Sequence, residues 1–193
     1  MALMSSTDSS YTPAEKHGLL RVARDSILHG LDKGRALPID VRAHSLALQE
    51  PRATFVTLEL DNNLRGCIGT LEATRALVED VAHNAYAAAF HDPRFLPLTA
   101  VEFADLALHI SVLSPPEIML VDSEADLLRQ LRAGIDGLIL EDARRRGTFL
   151  PSVWESLPEP REFLRHLKLK AGLPENYWSE TITVRRYTAE LIE

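Results

Sequence analysis

Apolar and polar residues alternate through "ATFVTLEL" and again through "LRGCIGTL", which is the pattern of two strands that each bury one face. The intervening "DNN" predicts a hairpin with a three-residue loop. A register slip of one residue would exchange the buried and exposed faces, so the apolar positions fix the expected pairing. The pairs that this register predicts are Leu60 with Leu64, Glu59 with Arg65, Leu58 with Gly66, Thr57 with Cys67, Val56 with Ile68 and Phe55 with Gly69.

Helical periodicity and capping signals predict the principal helices. Thr12 as N-cap, Pro13 at the first helical position and Glu15 three residues after the cap form a capping box that starts the first helix, and Gly30 is expected to end it. The alanine-rich stretch "TRALVEDVAHNAYAAAF" predicts a second long helix, capped by Thr74 and packed closely on a sheet.

The remaining segments mix strands and helices without strict alternation. "LALHISVLS" and "TITVRRYTAEL" predict strands, "DGLILED" to "TFLP" predicts a second hairpin turning through "ARRRG", and "SEADLLRQLRAG" and "PEPREFLRHLKLKAGLP" predict helices. We therefore expect an α+β fold, a mostly antiparallel sheet flanked by helices. Residues 12–193 are expected to form one domain after a disordered tail over residues 1–11.

Composition narrows the class of protein. A net charge of −7 disfavours nucleic-acid binding, which depends on Lys and Arg neutralising phosphates. The N-terminus lacks the apolar core of a signal peptide and no apolar run could span a bilayer, so the expected location is the cytoplasm, without a membrane partner. One cysteine excludes an internal disulfide, and the scattered histidines predict neither a metal site nor a cofactor.

Cys67 is the residue with the most reactive side chain in the predicted hairpin. A thiol attacks as thiolate, and a neighbouring cation such as Arg65 favours that form. Glu59, expected opposite Arg65, would oppose the effect, and no histidine is near Cys67 in sequence. Cys67 is therefore either a candidate catalytic nucleophile or a small buried side chain, which is a common position for a free cysteine.

The other candidate site residues also have two interpretations. Gly66 and Gly69 in a strand indicate close approach by either a ligand or a packed helix. Arg94 in "DPRF" could bind an anion with its planar guanidinium, or pair locally with Asp92. His109 is expected to be a structural histidine rather than a base, and Phe95 a core residue.

The residues together resemble a known family. "LRGCIG", "DPRF", "ISVLSPPE", "GIDGLIL", "RRGTFLP" and "LKAGLPENYW" follow one another as in the AMMECR-type domain family, also called AmmeMemoRadiSam system protein A. The resemblance extends from about Thr12 onward. It implies an α+β fold of two lobes separated by a cleft, with the LRGCIG segment near that cleft, and it implies no established reaction.

The family's name also implies partners, a Memo-like protein related to dioxygenases and a radical SAM protein. Two functions follow as expectations. The first is a binding component, monomeric or weakly dimeric, that uses Arg65, Gly66, Gly69 and Arg94 to hold an unknown small ligand or a partner protein. The alternative is an enzyme that uses Cys67 as a nucleophile on a small anionic substrate.

Overall fold

The computed structural model describes residues 10–193, and it has the predicted α+β fold. Helices and strands alternate irregularly, with short 3-10 turns at Val41–Ala43 and Pro151–Glu155. The elements in chain order are α1 (Pro13–Lys33), α2 (Leu46–Gln49), β1 (Thr54–Leu60), β2 (Asn63–Gly69), α3 (Leu77–Phe90), α4 (Ala100–Ala104), β3 (Ala107–Leu113), β4 (Glu117–Met119), α5 (Glu124–Gln130), β5 (Gly137–Asp142), β6 (Arg145–Phe149), α6 (Pro160–Lys170), β7 (Thr183–Tyr187) and β8 (Ala189–Ile192).

The described chain divides into two compact units, each with its own four-stranded sheet and hydrophobic core. The first unit contains the described residues up to Leu113 together with Glu190–Glu193, and the second contains Ser114–Ala189. The predicted strand "TITVRRYTAEL" is therefore two strands, because β7 joins the sheet of the second unit and β8 joins that of the first. The short elements α4 and β4 were not predicted.

The first unit is a sheet with strand order β2-β1-β3-β8, packed against α1 and α3. β1 is antiparallel to both β2 and β3. Val56, Leu58 and Ile110 are fully buried on the face that meets the helices, which confirms the predicted apolar face for Val56 and Leu58. Leu64, which was predicted to share this face, is exposed. The opposite face carries Thr57, Cys67 and His109 in one row across the strands β1, β2 and β3.

Helix α1 begins as predicted but ends later. Thr12 accepts a hydrogen bond from the Glu15 N–H, and the Glu15 carboxylate returns the capping-box contact. The helix continues through Gly30 and ends at Gly34, which has a φ of 66°. A Cβ at Gly30 would collide with Phe90 and Tyr86 of α3, so this glycine permits close helix packing rather than ending the helix.

The hairpin differs from the prediction at its tip. The loop has only the residues Asp61 and Asn62, whose φ angles of 51° and 60° suit a type I′ turn. The shorter loop shifts the register between Leu58 and Glu59, so Glu59 lies opposite Leu64 and Arg65 is the extra residue of a β-bulge. The predicted pairs Glu59–Arg65 and Leu60–Leu64 are therefore wrong, whereas the four pairs nearer the strand ends are confirmed.

The start of α3 is also later than predicted. Its N-cap is Ala76, not Thr74, and the N–H of Leu77 donates to the carbonyl of Glu50 at 2.9 Å. Pro51 and Ala76 form an isolated bridge just before the helix. A main-chain contact with a distant segment thus replaces the expected side-chain cap.

The second unit is a sheet with strand order β4-β7-β5-β6, in which the recorded pairs are antiparallel. Its core joins residues of this sheet, such as Leu138 and Leu140, to Phe163 and Leu167 of α6. The predicted hairpin β5–β6 is present, but its turn has only Ala143 and Arg144. The remaining residues of "ARRRG" belong to β6, so the prediction that the whole segment forms the turn is wrong. Ser123 caps α5 as expected, with its side chain accepting from the Asp126 N–H.

The predicted tail over residues 1–11 lies largely outside the described residues. Of its last two positions, Ser10 donates its N–H to Glu190 at 3.0 Å and Tyr11 is buried in the core of the first unit. Both residues are thus in contact with the first unit. Within residues 10–193, no helix is long and apolar enough to cross a membrane.

Candidate functional site

Cys67 lies on the polar face of the first unit's sheet, beside Thr57 as predicted. The Thr57 hydroxyl donates to the Cys67 Sγ at 3.4 Å. Cys67 is half-buried as a residue rather than fully buried, so the interpretation as a fully buried core cysteine is not confirmed. β-Pairing places Thr57 and Cys67 directly opposite each other, and that places the hydroxyl next to the sulfur.

The positions of the histidines bear on whether Cys67 has an adjacent base. Within residues 10–193, no histidine nitrogen is hydrogen-bonded to the Cys67 Sγ. His109 lies in the same row but on the far side of Thr57, and its Nε2 lies 3.3 Å from Glu59 Oε2. Its Nδ1 lies 3.5 Å from Glu193, so His109 joins β1, β3 and the C-terminal residue, which supports the structural interpretation.

Arg65 is directed away from Glu59 and binds Glu102 instead. Its Nε donates to Glu102 Oε1 at 2.8 Å, and its Nη2 donates to Glu102 Oε2 at 3.2 Å and to the Leu96 carbonyl at 2.9 Å. This bidentate contact lowers the pKa of Glu102 from 4.5 to about 2. The side chain of Arg65 is only 13% exposed, and its Nη1 is buried without a hydrogen bond among the described residues.

Glu102 has a second role at the start of α4. Its carboxylate accepts from the Thr99 N–H at 2.8 Å, and Thr99 accepts from the Glu102 N–H at 3.3 Å, which completes a capping box. The same carboxylate therefore caps α4 and binds the bulged residue of β2. Sequence reasoning missed Glu102, although "LTAVE" carries the capping-box spacing that could have revealed α4.

Asp92 and Arg94 pair with each other, as one of the two interpretations of "DPRF" proposed. Arg94 Nε donates to Asp92 Oδ1 at 2.9 Å and Arg94 Nη2 donates to Oδ2 at 2.7 Å. Asp92 also accepts the N–H of Cys67 at 2.9 Å, while Arg94 Nη2 donates to the Cys67 carbonyl at 3.4 Å. The hydrogen bonds from Arg94 hold the pKa of Asp92 well below its usual range.

Phe95 contacts both Arg65 and Arg94. It does not belong to the hydrophobic core of the first unit, so the prediction of a core residue is wrong. The Cζ atoms of Arg65 and Arg94 are 5.8 Å and 5.4 Å from its ring centroid. Both distances are within the range of a cation–π contact. The ring thus contacts two guanidinium groups that are each paired with a carboxylate.

The two glycines of the motif have packing reasons. A Cβ at Gly66 would collide with the carbonyl oxygen of Ala88 in α3, so the glycine lets the helix approach the strand. A Cβ at Gly69 would collide with the ring of Phe55 and the Thr54 carbonyl. Close backbone approach therefore explains both positions without a ligand, and a ligand-binding role for Gly66 or Gly69 stays a prediction.

The arrangement brings Arg65, Cys67 and Arg94 together but leaves neither arginine unpaired. Each guanidinium binds a carboxylate in a bidentate contact, so an anion would have to compete with Glu102 or Asp92. No group of three or more metal-ligating side chains is found in the part of the chain that the structure describes. At Cys67 itself, the thiol accepts a hydrogen bond from the Thr57 hydroxyl and the main-chain N–H donates to Asp92.

Several known proteins are similar to this chain over most of its length. A protein of Methanothermobacter thermautotrophicus is 37% identical over 185 residues, covering 92% of this chain and 93% of its own. A protein of Thermotoga maritima is 37% identical over 159 residues, covering 81% and 86%. The crystal structure of the uncharacterized protein PH0010 from Pyrococcus horikoshii is 34% identical with a TM-score of 0.83, covering 95% of this chain and 93% of that one.

The family model AMMECR1 matches residues 20–192, a span that includes the whole polar face of the first unit's sheet and the whole second unit. The match therefore covers every candidate site residue described above. This chain belongs to the AMMECR1 family.

Proposed function

We propose that this chain is a non-catalytic binding component of the cytoplasm, which uses the surface around β2 to hold a partner protein or a small ligand. Its partners in this proposal are a Memo-like, dioxygenase-related protein and a radical SAM protein. The family membership and the geometry around Cys67 support the proposal.

One observation carries most of the weight: the thiol receives a hydrogen bond from a hydroxyl and none from a histidine within the described chain. Nucleophilic cysteines need an adjacent base or an unopposed cation to form thiolate. Both nearby cations are matched by carboxylates. The surroundings of Cys67 therefore favour binding over bond-making chemistry.

Exposed apolar side chains around the Arg65–Glu102 pair support a protein partner. Leu96 is 83% exposed and Val101 is 82% exposed, and Leu64 is also exposed. Leu64 precedes Arg65, Val101 precedes Glu102, and the Leu96 carbonyl binds Arg65. We call Leu64, Leu96 and Val101 the docking patch, because exposed apolar groups beside a polar rim are typical of interaction sites.

The test measures binding of the purified Memo-like and radical SAM proteins to the full chain by calorimetry. We expect Leu96→Asp and Val101→Asp each to weaken binding by about tenfold or more, since an apolar contact is replaced by a charge. Leu120→Asp is the matched control, because Leu120 is 86% exposed in the second unit. Equal affinity for all variants, or no binding by the wild-type chain, would contradict the proposal.

A specific observation favours the enzymatic alternative, namely that the Thr57 hydroxyl donates to the Cys67 Sγ and would stabilise a thiolate. The variant Cys67→Ala distinguishes the binding component from the enzyme when partner binding and substrate turnover are both measured. A binding component keeps its affinity for the partner in this variant, whereas an enzyme loses turnover of a small anionic substrate. Loss of a measurable reaction in Cys67→Ala with intact folding would establish the alternative.

A further inference from the structure

β2 is the outermost strand of the first unit's sheet, next to β1. Edge strands present main-chain N–H and C=O groups that can pair with another extended chain, and proteins protect such edges. The bulge at Arg65 interrupts the first half of the strand, but Gly66–Gly69 is regularly paired with β1 and carries no charged side chain, so its outer edge could act as a template. The N–H and C=O groups on the outer edge of β2 therefore need other partners.

Side chains occupy the position of a neighbouring strand at Cys67. The Asp92 carboxylate accepts the Cys67 N–H at 2.9 Å, as a strand carbonyl would, and Arg94 donates to the Cys67 carbonyl at 3.4 Å, as a strand N–H would. Asp92 lies at the start of the loop that follows α3, so the pair is supplied by a separate segment. One acceptor and one donor thus satisfy both main-chain groups of the same residue.

The pair is held firmly enough to resist displacement. Arg94 makes a bidentate contact with Asp92, and its N–H donates to the same carboxylate at 3.1 Å. The Asp92 side chain is only 2% exposed, while the Arg94 side chain covers it at 53% exposure. The hydrogen bonds from Arg94 lower the pKa of Asp92, so the ionised carboxylate is the form that this contact favours.

We propose that Asp92 and Arg94 form an edge lock, which prevents β2 from pairing with β2 of a second copy of this chain. Without the lock, two β2 strands could pair antiparallel about Cys67, exchanging the N–H and C=O groups that the lock now binds. Such a pair would place the two Cys67 residues opposite each other, about 5.5 Å apart at Cα, which is within disulfide range. The lock concerns self-association and does not depend on the proposed function.

The decisive variant is Asp92→Ala combined with Arg94→Ala, and sedimentation velocity measures its dimerisation. We expect a dimer that forms at least tenfold more readily than that of the wild-type chain. Diamide provides a second readout, because it accepts the two thiol hydrogens and leaves a Cys67–Cys67 disulfide between copies. Arg129→Ala is the control, since Arg129 pairs with Asp126 on the surface of α5 and touches no strand edge.

A double variant that has the wild-type circular dichroism spectrum, remains monomeric and is not cross-linked would overturn the lock. Equal cross-linking of the wild-type chain and the variant would also overturn it. If the double variant does not fold, Arg94→Ala alone is measured against a labelled peptide of residues 63–69 by fluorescence anisotropy. Tighter peptide binding than by the wild-type chain supports the lock, and unchanged binding overturns it.

Discussion

The Arg65 guanidinium binds the Glu102 carboxylate through two hydrogen bonds, and this contact joins the bulge of β2 to the first turn of α4. The pair connects residues that are 37 positions apart in sequence. Its strength determines how the candidate site responds to acid, which leads to the first prediction.

We predict that Glu102→Gln reduces the acid sensitivity of folding. Because the pKa of Glu102 falls from 4.5 to about 2 on folding, its ionised form stabilises the protein above pH 4.5, and that stabilisation is lost as the pH falls toward 2. Urea denaturation at a series of pH values measures the free energy of unfolding. The wild-type curve should fall more steeply than the Gln variant's across this range, and the two should approach each other at the acid end.

The pKa of Asp92 is also lowered, so protonation of Asp92 in acid also reduces the free energy of unfolding. The Glu102→Gln variant therefore keeps part of the dependence of this free energy on pH. Parallel curves for the wild type and Glu102→Gln would show that the contact with Arg65 does not stabilise the fold.

We predict that Gly66→Ala destabilises the protein by about 1–3 kcal/mol, because the added Cβ would collide with the Ala88 carbonyl oxygen and α3 would have to move. Gly18→Ala is the matched control. Gly18 lies within α1 with nothing near its Cβ position, and alanine should stabilise the helix there by about 0.5–1 kcal/mol. Thermal unfolding of both variants measures the difference, and a shift of the same sign in both would be inconsistent with the packing explanation.

We predict that Cys67→Ser leaves the fold intact, with a loss of about 1 kcal/mol or less. The serine hydroxyl can accept the hydrogen bond of Thr57 that the sulfur accepts now, so no polar group is left unpaired. Thr57→Ala is the companion variant that removes the donor. A fall in melting temperature of more than about 8 °C for Cys67→Ser would instead indicate that the thiol is a tightly packed core group.

We predict that Asp80→Ala is strongly destabilising, by about 2 kcal/mol or more. Asp80 is fully buried and accepts the Thr54 N–H at 3.0 Å, the Thr54 hydroxyl at 2.7 Å and the Asn84 amide at 2.9 Å. Alanine would remove the acceptor of the buried Thr54 N–H and hydroxyl, while the Asn84 amide would keep only its hydrogen bonds to Thr54. Glu79→Ala, at the exposed neighbouring position of α3, should change stability by no more than about 0.5 kcal/mol. Similar losses in the two variants would contradict a structural role for the buried network.

Local signals predicted local structure well. The capping box of Thr12 and Glu15 is present, and alternation placed Val56 and Leu58 on the buried face and Thr57 beside Cys67. These features depend on residues close in sequence or on a period of two, which the sequence displays directly.

Contacts between distant segments could not be predicted. Alternation does not distinguish a two-residue from a three-residue loop, so the bulge at Arg65 and its turn toward Glu102 were missed. The start of α3 depends on a hydrogen bond from the Leu77 N–H to the Glu50 carbonyl. No capping residue in the sequence indicates this contact. The pairing of Asp92 with Arg94 could be predicted because the two residues are close in sequence. Their contact with Cys67 could not be predicted, because it joins distant segments.

The position of β8 has a consequence for how the protein is made. The first unit takes its fourth strand from Ala189–Ile192, after the chain has completed the whole second unit at Ser114–Ala189. During synthesis, the ribosome must therefore deliver residue 192 before the sheet of the first unit can be completed. The second unit is contiguous in sequence, so all four of its strands are synthesised before β8, the fourth strand of the first unit.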